Sequence, residues 1–574
     1  MAQQLQNITV QAPGFAGINS QDSPVSLDQS FASIASNCII DEYGRIGARK
    51  GYTEVSTHSS TATLLGDSRG IESVFESLDA SGDKVVFSAG NNKIFSGTTQ
   101  LTDLTPVSPY AITANNWKIV SFNNHTYFYQ REHEPLIYTD SSGSDVLVKH
   151  SDFSGQTTPP QANEVIGAYG RLWAADVSGN TKTVYWSDTL QGHKWSGGTA
   201  GSLNLTTVFP TGHDEVTALA AHNGFLIIFC KRSIIIYSGA ESPATMQLHD
   251  TIEGVGCIER DSVQHTGTDI IFLSEEGVRS FGRTIQEKSM PMRDISNNVR
   301  TELTSLVRQQ TNPIKSIYSA DEAFYLLSLQ DSNVVYCFDM RTALPDGSNR
   351  VTTWGGVNPR SMALLQDGSI YFGREDGIFK YGGYQDKDSS YEMIYYSNPL
   401  NFGNSTNLKF LKRFNITVIG NVASQTTLAW GYDYAGSFIK KPFNTDLLNT
   451  PISEFNVGRF GDQTTTKLLP VGVTDGDYLG EFSSAPTANN TYDLYYNTTE
   501  DKLYYWDGDS WEELSNSDSS FAVSRFTTGI DIQRPTINTS GSGTVVTIGI
   551  ESTIDGAPYS IQQIDVHALL GRLI

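Results

Sequence analysis

Cysteine is scarce. Cys38, Cys230, Cys257 and Cys337 are the four in 574 residues. They lie far apart, mostly between apolar neighbours, and none forms a CxxC pair. That excludes a disulfide framework or thiolate zinc site and leaves buried free thiols as the expectation. Long hydrophobic runs are missing too. No window approaches the roughly 18 apolar residues of a membrane span, and the longest apolar run, Phe225 to Cys230, has the length of a strand. The opening MAQQLQNITVQ has neither a basic n-region nor an apolar h-region, so no signal peptide is expected. Positive charge is short as well: 39 Lys and Arg face 62 Asp and Glu, for a net charge of −23. A protein that grips DNA by its phosphates usually has the opposite balance. Lys231-Arg232 and Lys440-Lys441 are the basic pairs that stand out, and Arg45, Arg49 and Lys50 offer one local patch. Duplex DNA is therefore expected to bind weakly.

Catalytic signatures are also wanting. Ten histidines are present, but none forms HExxH or pairs with cysteine at zinc spacing. No GxSxG elbow and no GxxxxGK[ST] phosphate loop are expected. Asp507-Gly508-Asp509 with Glu512-Glu513 lacks the spacing of an EF-hand and reads as a solvated turn. The expectation is no catalytic residue, no metal, no cofactor and no enzyme activity. Paired carboxylates at the centre of a propeller remain open, because any blade's acid can face the axis.

Glycine, by contrast, is plentiful at 51 against 20 proline, which suits many tight turns. One pattern recurs from about residue 71 to 383: a turn, an apolar strand, a second turn, and a short strand ending in an aromatic. The copies are 81–97, 123–140, 169–188, 222–239, 267–282, 321–339 and 367–383. Short apolar runs such as IESVFESL, WKIVSF, EVIGAY, VTALAAH, IKSIYSA and RSMALL precede most of them. A period of roughly 42 to 54 residues is that of propeller blades. Blades packed radially bury both faces and leave only short edges. The expected fold is all-β: a β-propeller of about seven blades at 71–390, with six blades and a stray hairpin as the alternative. A helix is expected over 294–310, with Val299, Leu303, Leu306 and Val307 on one face and Asp294 or Ser296 as cap.

The ends differ from the middle. The lead, 1–70, contains a strand, an Asp-Glu-Tyr-Gly turn and a basic strand; it, or chain just after 383, is expected to complete the last blade. After about 391 the runs lengthen and alternate, as in LKFLKRFNITVIG and YSIQQIDVHALLGR, which predicts a β-sandwich-like domain over 391–574. The phrases NCIIDEYGRIGARKGY and GIESTIDGAPYSIQQIDVHALLGRL, with the blade-like middle between them, resemble the tail nozzle proteins of short-tailed bacteriophages, also called tail tubular protein B. The resemblance implies a virion protein made in the host cytoplasm. It also implies a hexameric ring below the portal and adaptor that conducts DNA without sequence-specific binding and carries fibres or other tail proteins. None of these phrases is a catalytic signature.

An aromatic segment sits inside the C-terminal region, at 475–517, between runs at 467–473 and 521–530 that read as strands. It contains YYNTTEDKLYYWDGDSWEEL and resembles small modules of phage tail fibres and tail-tip proteins. So small a core needs its rings for packing. Yet Tyr495, Tyr504, Tyr505, Trp506 and Trp511 are also favoured contact residues, for a fibre, a capsid-side partner or a glycan. The rival reading of the whole chain is a carbohydrate-binding or carbohydrate-cleaving propeller of a tail spike or secreted protein.

Overall fold

The structure, a computed structural model, describes residues 5–56, 70–78, 82, 84–99, 101–106, 110–141, 144–209, 212–287, 294–404, 406–420, 424–434, 436–445, 478–488, 493–500, 502–506, 508–513 and 531–573.

Seven antiparallel blades follow one another from Ile71 to Tyr381, most of four strands each. The seven recurring sequence units are the second and third strands of the blades, and the apolar runs before them are the first strands. Two-residue turns set the hairpins: Asn123-Asn124, Tyr169-Gly170 and Asn223-Gly224 all have positive φ at both positions. That backbone matches the right-handed twist of the strands it joins. The fifth blade is the exception. Its first strand is only Gln264–His265 and it has no fourth strand among the described residues. The helices Phe281–Glu287 and Arg300–Gln309 follow it.

Apolar cores fill the gaps between neighbouring blades, and the core between blades five and six is continuous with that of the C-terminal region. Phe87 and Phe128 meet edge to face, 5.2 Å between centroids, between blades one and two. Ile71, Val74 and Phe95 of blade one pack with Leu365 and Ile378 of blade seven. Ser361 Oγ donates to the Ile71 carbonyl at 2.9 Å across the same joint. The circle is therefore closed by packing, and the chain is an all-β protein with a seven-bladed propeller.

The lead is divided between both parts of the molecule. Tyr52–Glu54 is the outermost strand of blade seven, pairing Tyr52 with Tyr381. Phe31–Ser36 runs parallel to the last strand of blade six and antiparallel to Tyr391–Ser397, so that blade's sheet continues without a break into the C-terminal region. Leu5–Gln11 and Ile46–Ala48 both pair with Tyr559–Leu573. The segment expected only to close the propeller thus also supplies three strands of the second β-layer and welds the two parts together. In that sandwich, Phe414, Ile416 and Val566 of one sheet face Leu428, Trp430 and Ile548 of the other.

The helix expected at 294–310 is regular only from Arg300 to Gln309, after a 3-10 turn at Asn297–Val299. Val299, Leu303 and Val307 are buried as expected. Neither candidate cap serves, however. Ser296 Oγ accepts from the Val278 amide, and Asp294 pairs with Arg300 at 2.7 Å. Ser296 is thus claimed by the fifth blade, and Asp294 meets the side chain of the helix's first residue rather than a backbone amide of the helix end.

Candidate functional site

The aromatic segment folds as a four-stranded sheet, with Tyr478–Phe482 parallel to Leu494–Asn497 and Lys502–Trp506 and Trp511–Glu513 following antiparallel. Register places Tyr495 opposite Tyr504 and Trp506 opposite Trp511. Tyr495 is buried, stacked on Tyr504 at 5.4 Å and edge-on to Trp511 at 4.7 Å. Trp506 meets Trp511 at 5.5 Å, and the Trp511 indole N–H donates to the Pro486 carbonyl at 2.9 Å. Four rings thus form one cluster on one face, as cross-strand pairs should. Tyr504, Tyr505, Trp506 and Trp511 keep part of their surface accessible. The runs at 467–473 and 521–530 lie outside the described residues.

A second constellation, one the sequence analysis did not find, occupies the propeller centre. Arg260 sits in a single 3-10 turn before blade five and is 2% exposed. One guanidinium nitrogen donates to the carbonyl and side-chain oxygen of Asn116, at 2.8 and 2.9 Å; another donates to both oxygens of Asn163. Lys315 donates to Asp261 at 2.7 Å, and Lys118 lies 3.3 Å from Glu164 and 3.9 Å from Asp261. These residues belong to blades two, three, five and six. Blades two and six are not neighbours, so the network crosses the axis. The one sequence signal is a polar residue at or just before an otherwise apolar first strand, as in Asn116-Trp117-Lys118 and Asn163-Glu164.

The carboxyls there are driven apart. Burial pushes Asp261 up, but Arg260, Lys315 and Lys118 outweigh it and hold it well below the ordinary carboxylate range. Burial, with Asp261 adding, pushes Glu259 up to about 7 against Arg260 and Lys315. Burial also raises Glu164. Such a divergent pair can supply an acid and a base. Here Lys315 donates to one oxygen of Asp261 and Lys118 lies 3.9 Å from the other, so the arrangement as it stands braces blades against each other.

The basic residues of the lead do not make a surface patch. Arg49 is fully buried, forks onto Asp386 at 2.7 and 2.6 Å, and lies over the Tyr391 ring. Arg45 is paired with Asp41, and Lys50 with Glu322. Gly66-Asp67-Ser68-Arg69-Gly70 does fit the GxSxG spacing, a correction to the sequence expectation. The elbow needs a helix after the serine, whereas Ile71–Leu78 is a strand; residues 57–69 lie outside the described residues. The four cysteines are buried and unbridged. Among the described residues, no group of three His, Cys, Asp or Glu could hold a metal ion, and no helix is long and apolar enough to cross a membrane.

No protein-family model and no curated protein sequence matches the chain. Among solved structures, it is similar to the extracellular domain of the one component system BT4673 from B. thetaiotaomicron. Identity there is 10% and the TM-score 0.38, over 81% of this chain and 53% of that one. The chain thus spans about half the length of that domain. It is also similar to the Pan2 WD40 domain of Neurospora crassa, with 9% identity and a TM-score of 0.34 over 58% of this chain and 96% of that one. Virginiamycin B lyase from Staphylococcus aureus gives 12% identity and a TM-score of 0.31, over 55% and 94%.

Proposed function

We propose that the chain is a structural subunit of a phage tail. In this reading it is a nozzle ring below the portal and adaptor through which DNA leaves and on which fibres or other tail proteins dock. One observation carries the reading. The two phrases that resemble the nozzle proteins, 37–52 and 549–573, are 497 residues apart at their nearer ends, yet they lie in one frame. Ile46–Ala48 pairs with Tyr559–Leu573, and Tyr52–Glu54 then closes blade seven. A frame that fixes a platform rigidly to a propeller suits a load-bearing ring. The acidic surplus suits a conduit, since negative walls give phosphate few adhesive sites.

The axial carboxyls favour one second reading, a carbohydrate-cleaving propeller, because Glu259 and Asp261 titrate so far apart. Mass measurement of the purified protein and of virions, with a glycan hydrolysis assay, separates the two. The nozzle reading expects a ring in the virion and no turnover. A monomer that releases sugar from host glycans, and loses that activity on Asp261→Asn, would overturn it.

A further inference from the structure

The outer face of the platform sheet carries a basic patch that the chain's overall charge conceals. Its long strand, Asn407–Gly420, contains Lys412-Arg413, a further adjacent basic pair. Strict alternation from buried Leu411 would send Lys412 outward and Arg413 into the core. The sheet avoids that with a bulge. Leu411 pairs with Ala568 and Arg413 with His567, so Lys412 is the extra residue. Both side chains are exposed, while Leu411 and Phe414 on either side are buried. A bulge is the usual means of re-aiming a side chain within a continuous strand.

The surroundings keep the patch positive. Arg413 stands in a cross-strand row with Asn7, His567 and Asn538, and the next row is Thr9, Asp565, Asn415 and Thr536. Asp565 is the one carboxylate in these rows, and it is 4% exposed. Its oxygens accept from Thr9 at 2.7 Å, Gln563 at 2.8 Å and Arg534 at 2.6 Å. Arg534 itself keeps 59% of its side chain exposed. His567 is held below its usual range by burial and by Arg413 and Arg534, so it adds a neutral ring. The exposed charge here is that of Lys412, Arg413 and Arg534, with Phe410 37% exposed on the same strand.

We propose that this face docks on the acidic surface of a second copy of the chain. The inference rests on the ring reading and says which face makes the contact. Charge complementarity selects the occupant. With a net charge of −23, any other copy carries a surplus of acid over base, and copies repel one another overall except where a basic face meets that surplus. Joining two different patches is a heterologous contact, the kind that builds a ring when its rotation closes. A nucleic acid fits less well, because three bases neutralise few phosphates and the remaining surface repels them.

The test is self-association of the full chain by sedimentation velocity and native mass spectrometry, at low and high salt. The variants are Lys412→Glu with Arg413→Glu, and the milder Lys412→Gln with Arg413→Gln in case the reversal fails to fold. Wild type should assemble, less so as salt screens the contact. Reversal should weaken association about tenfold or more and remove its salt dependence, with the thermal midpoint unchanged. Variants that assemble like wild type would overturn this interface and leave the ring reading standing. Wild type that stays monomeric at every concentration would overturn this interface, and virions without a ring of the protein would remove the ring reading with it. Retention of duplex DNA by wild type, lost in the variants while assembly persists, would reassign the face to nucleic acid.

Discussion

The propeller and the platform reach an all-β fold by opposite routes. In the propeller, every blade but the seventh is built from strands close together in the chain, joined by turns such as Asn223-Gly224. In the platform, strands pair over long separations: Leu5–Gln11 lies against Tyr559–Leu573 from the other end of the chain, and Asn407–Gly420 against the same strand. Local pairing closes small loops and non-local pairing closes very long ones. The platform therefore depends on its termini in a way that an interior blade does not.

Removing the lead is the strongest way to break that contrast. Deleting residues 1–55 takes the edge strand Leu5–Gln11, the bridging strand Phe31–Ser36 and the last strand of blade seven together. The expected outcome is failure to give a cooperatively unfolding protein, checked by thermal melts followed by circular dichroism. An unaltered melt would show that the propeller closes without it. Arg49→Ala asks the same question at one residue. It leaves Asp386 without its forked partner in a buried setting, a loss of about 3–5 kcal/mol for a broken buried pair, readable in urea unfolding.

That same contrast decides what the sequence makes legible. All seven hairpins are visible in the chain because their strands, turns and aromatic ends are consecutive. Even the irregular fifth blade leaves a trace, since no apolar run precedes 267–282 and its first strand is just Gln264–His265. The double use of the lead is invisible, because nothing in NCIIDEYGRIGARKGY says that Ile46 will meet Ile561. The outward turn of Arg413 is hidden for a related reason: a bulge breaks the period-two pattern on which facing is read. The axial network is hidden because its members come from four blades. The rings at 495–511 were legible because hairpin register alone brings them together.

A smaller effect sharpens the comparison at the propeller axis. Glu259 is raised to about 7 in the folded state, largely by burial, whereas an unfolded glutamate titrates near 4.3. Between those values the native state keeps a proton that the unfolded chain has lost. Stability should therefore fall as pH rises from about 4.5 to 7 and level off above. Asp261 has the opposite sign: its depressed folded value gives stabilisation that is complete above the ordinary carboxylate range and is lost progressively as pH falls through and below it. In Glu259→Gln the decline between pH 4.5 and 7 should flatten, as urea midpoints across that range would reveal. An identical slope in the variant would assign the pH response to other groups.

The smallest effect is expected where the sheet is local and self-contained. Among the described residues, the four strands of the aromatic segment pair only with one another, and its rings meet through Tyr495, Tyr504, Trp506 and Trp511. A unit that satisfies its own backbone and core contributes little to the pairing of Asn407–Gly420 with Tyr559–Leu573, and insertions of this kind are tolerated and removable. Replacing 475–517 by a short Gly/Ser linker should leave the thermal midpoint of the remaining protein within a few degrees and its sheet signal intact. Trp511→Ala in the full chain should be felt inside the segment, because it removes the edge-on partner of both Tyr495 and Trp506 and frees the Pro486 carbonyl. A packed aromatic truncated to alanine costs about 3–5 kcal/mol, more than so small a core can be expected to spare. The segment should then become sensitive to limited proteolysis while the propeller and platform stay resistant. Aggregation of the deletion variant, or proteolysis spreading into the blades of the Trp511→Ala protein, would place the segment among the parts that hold the molecule together.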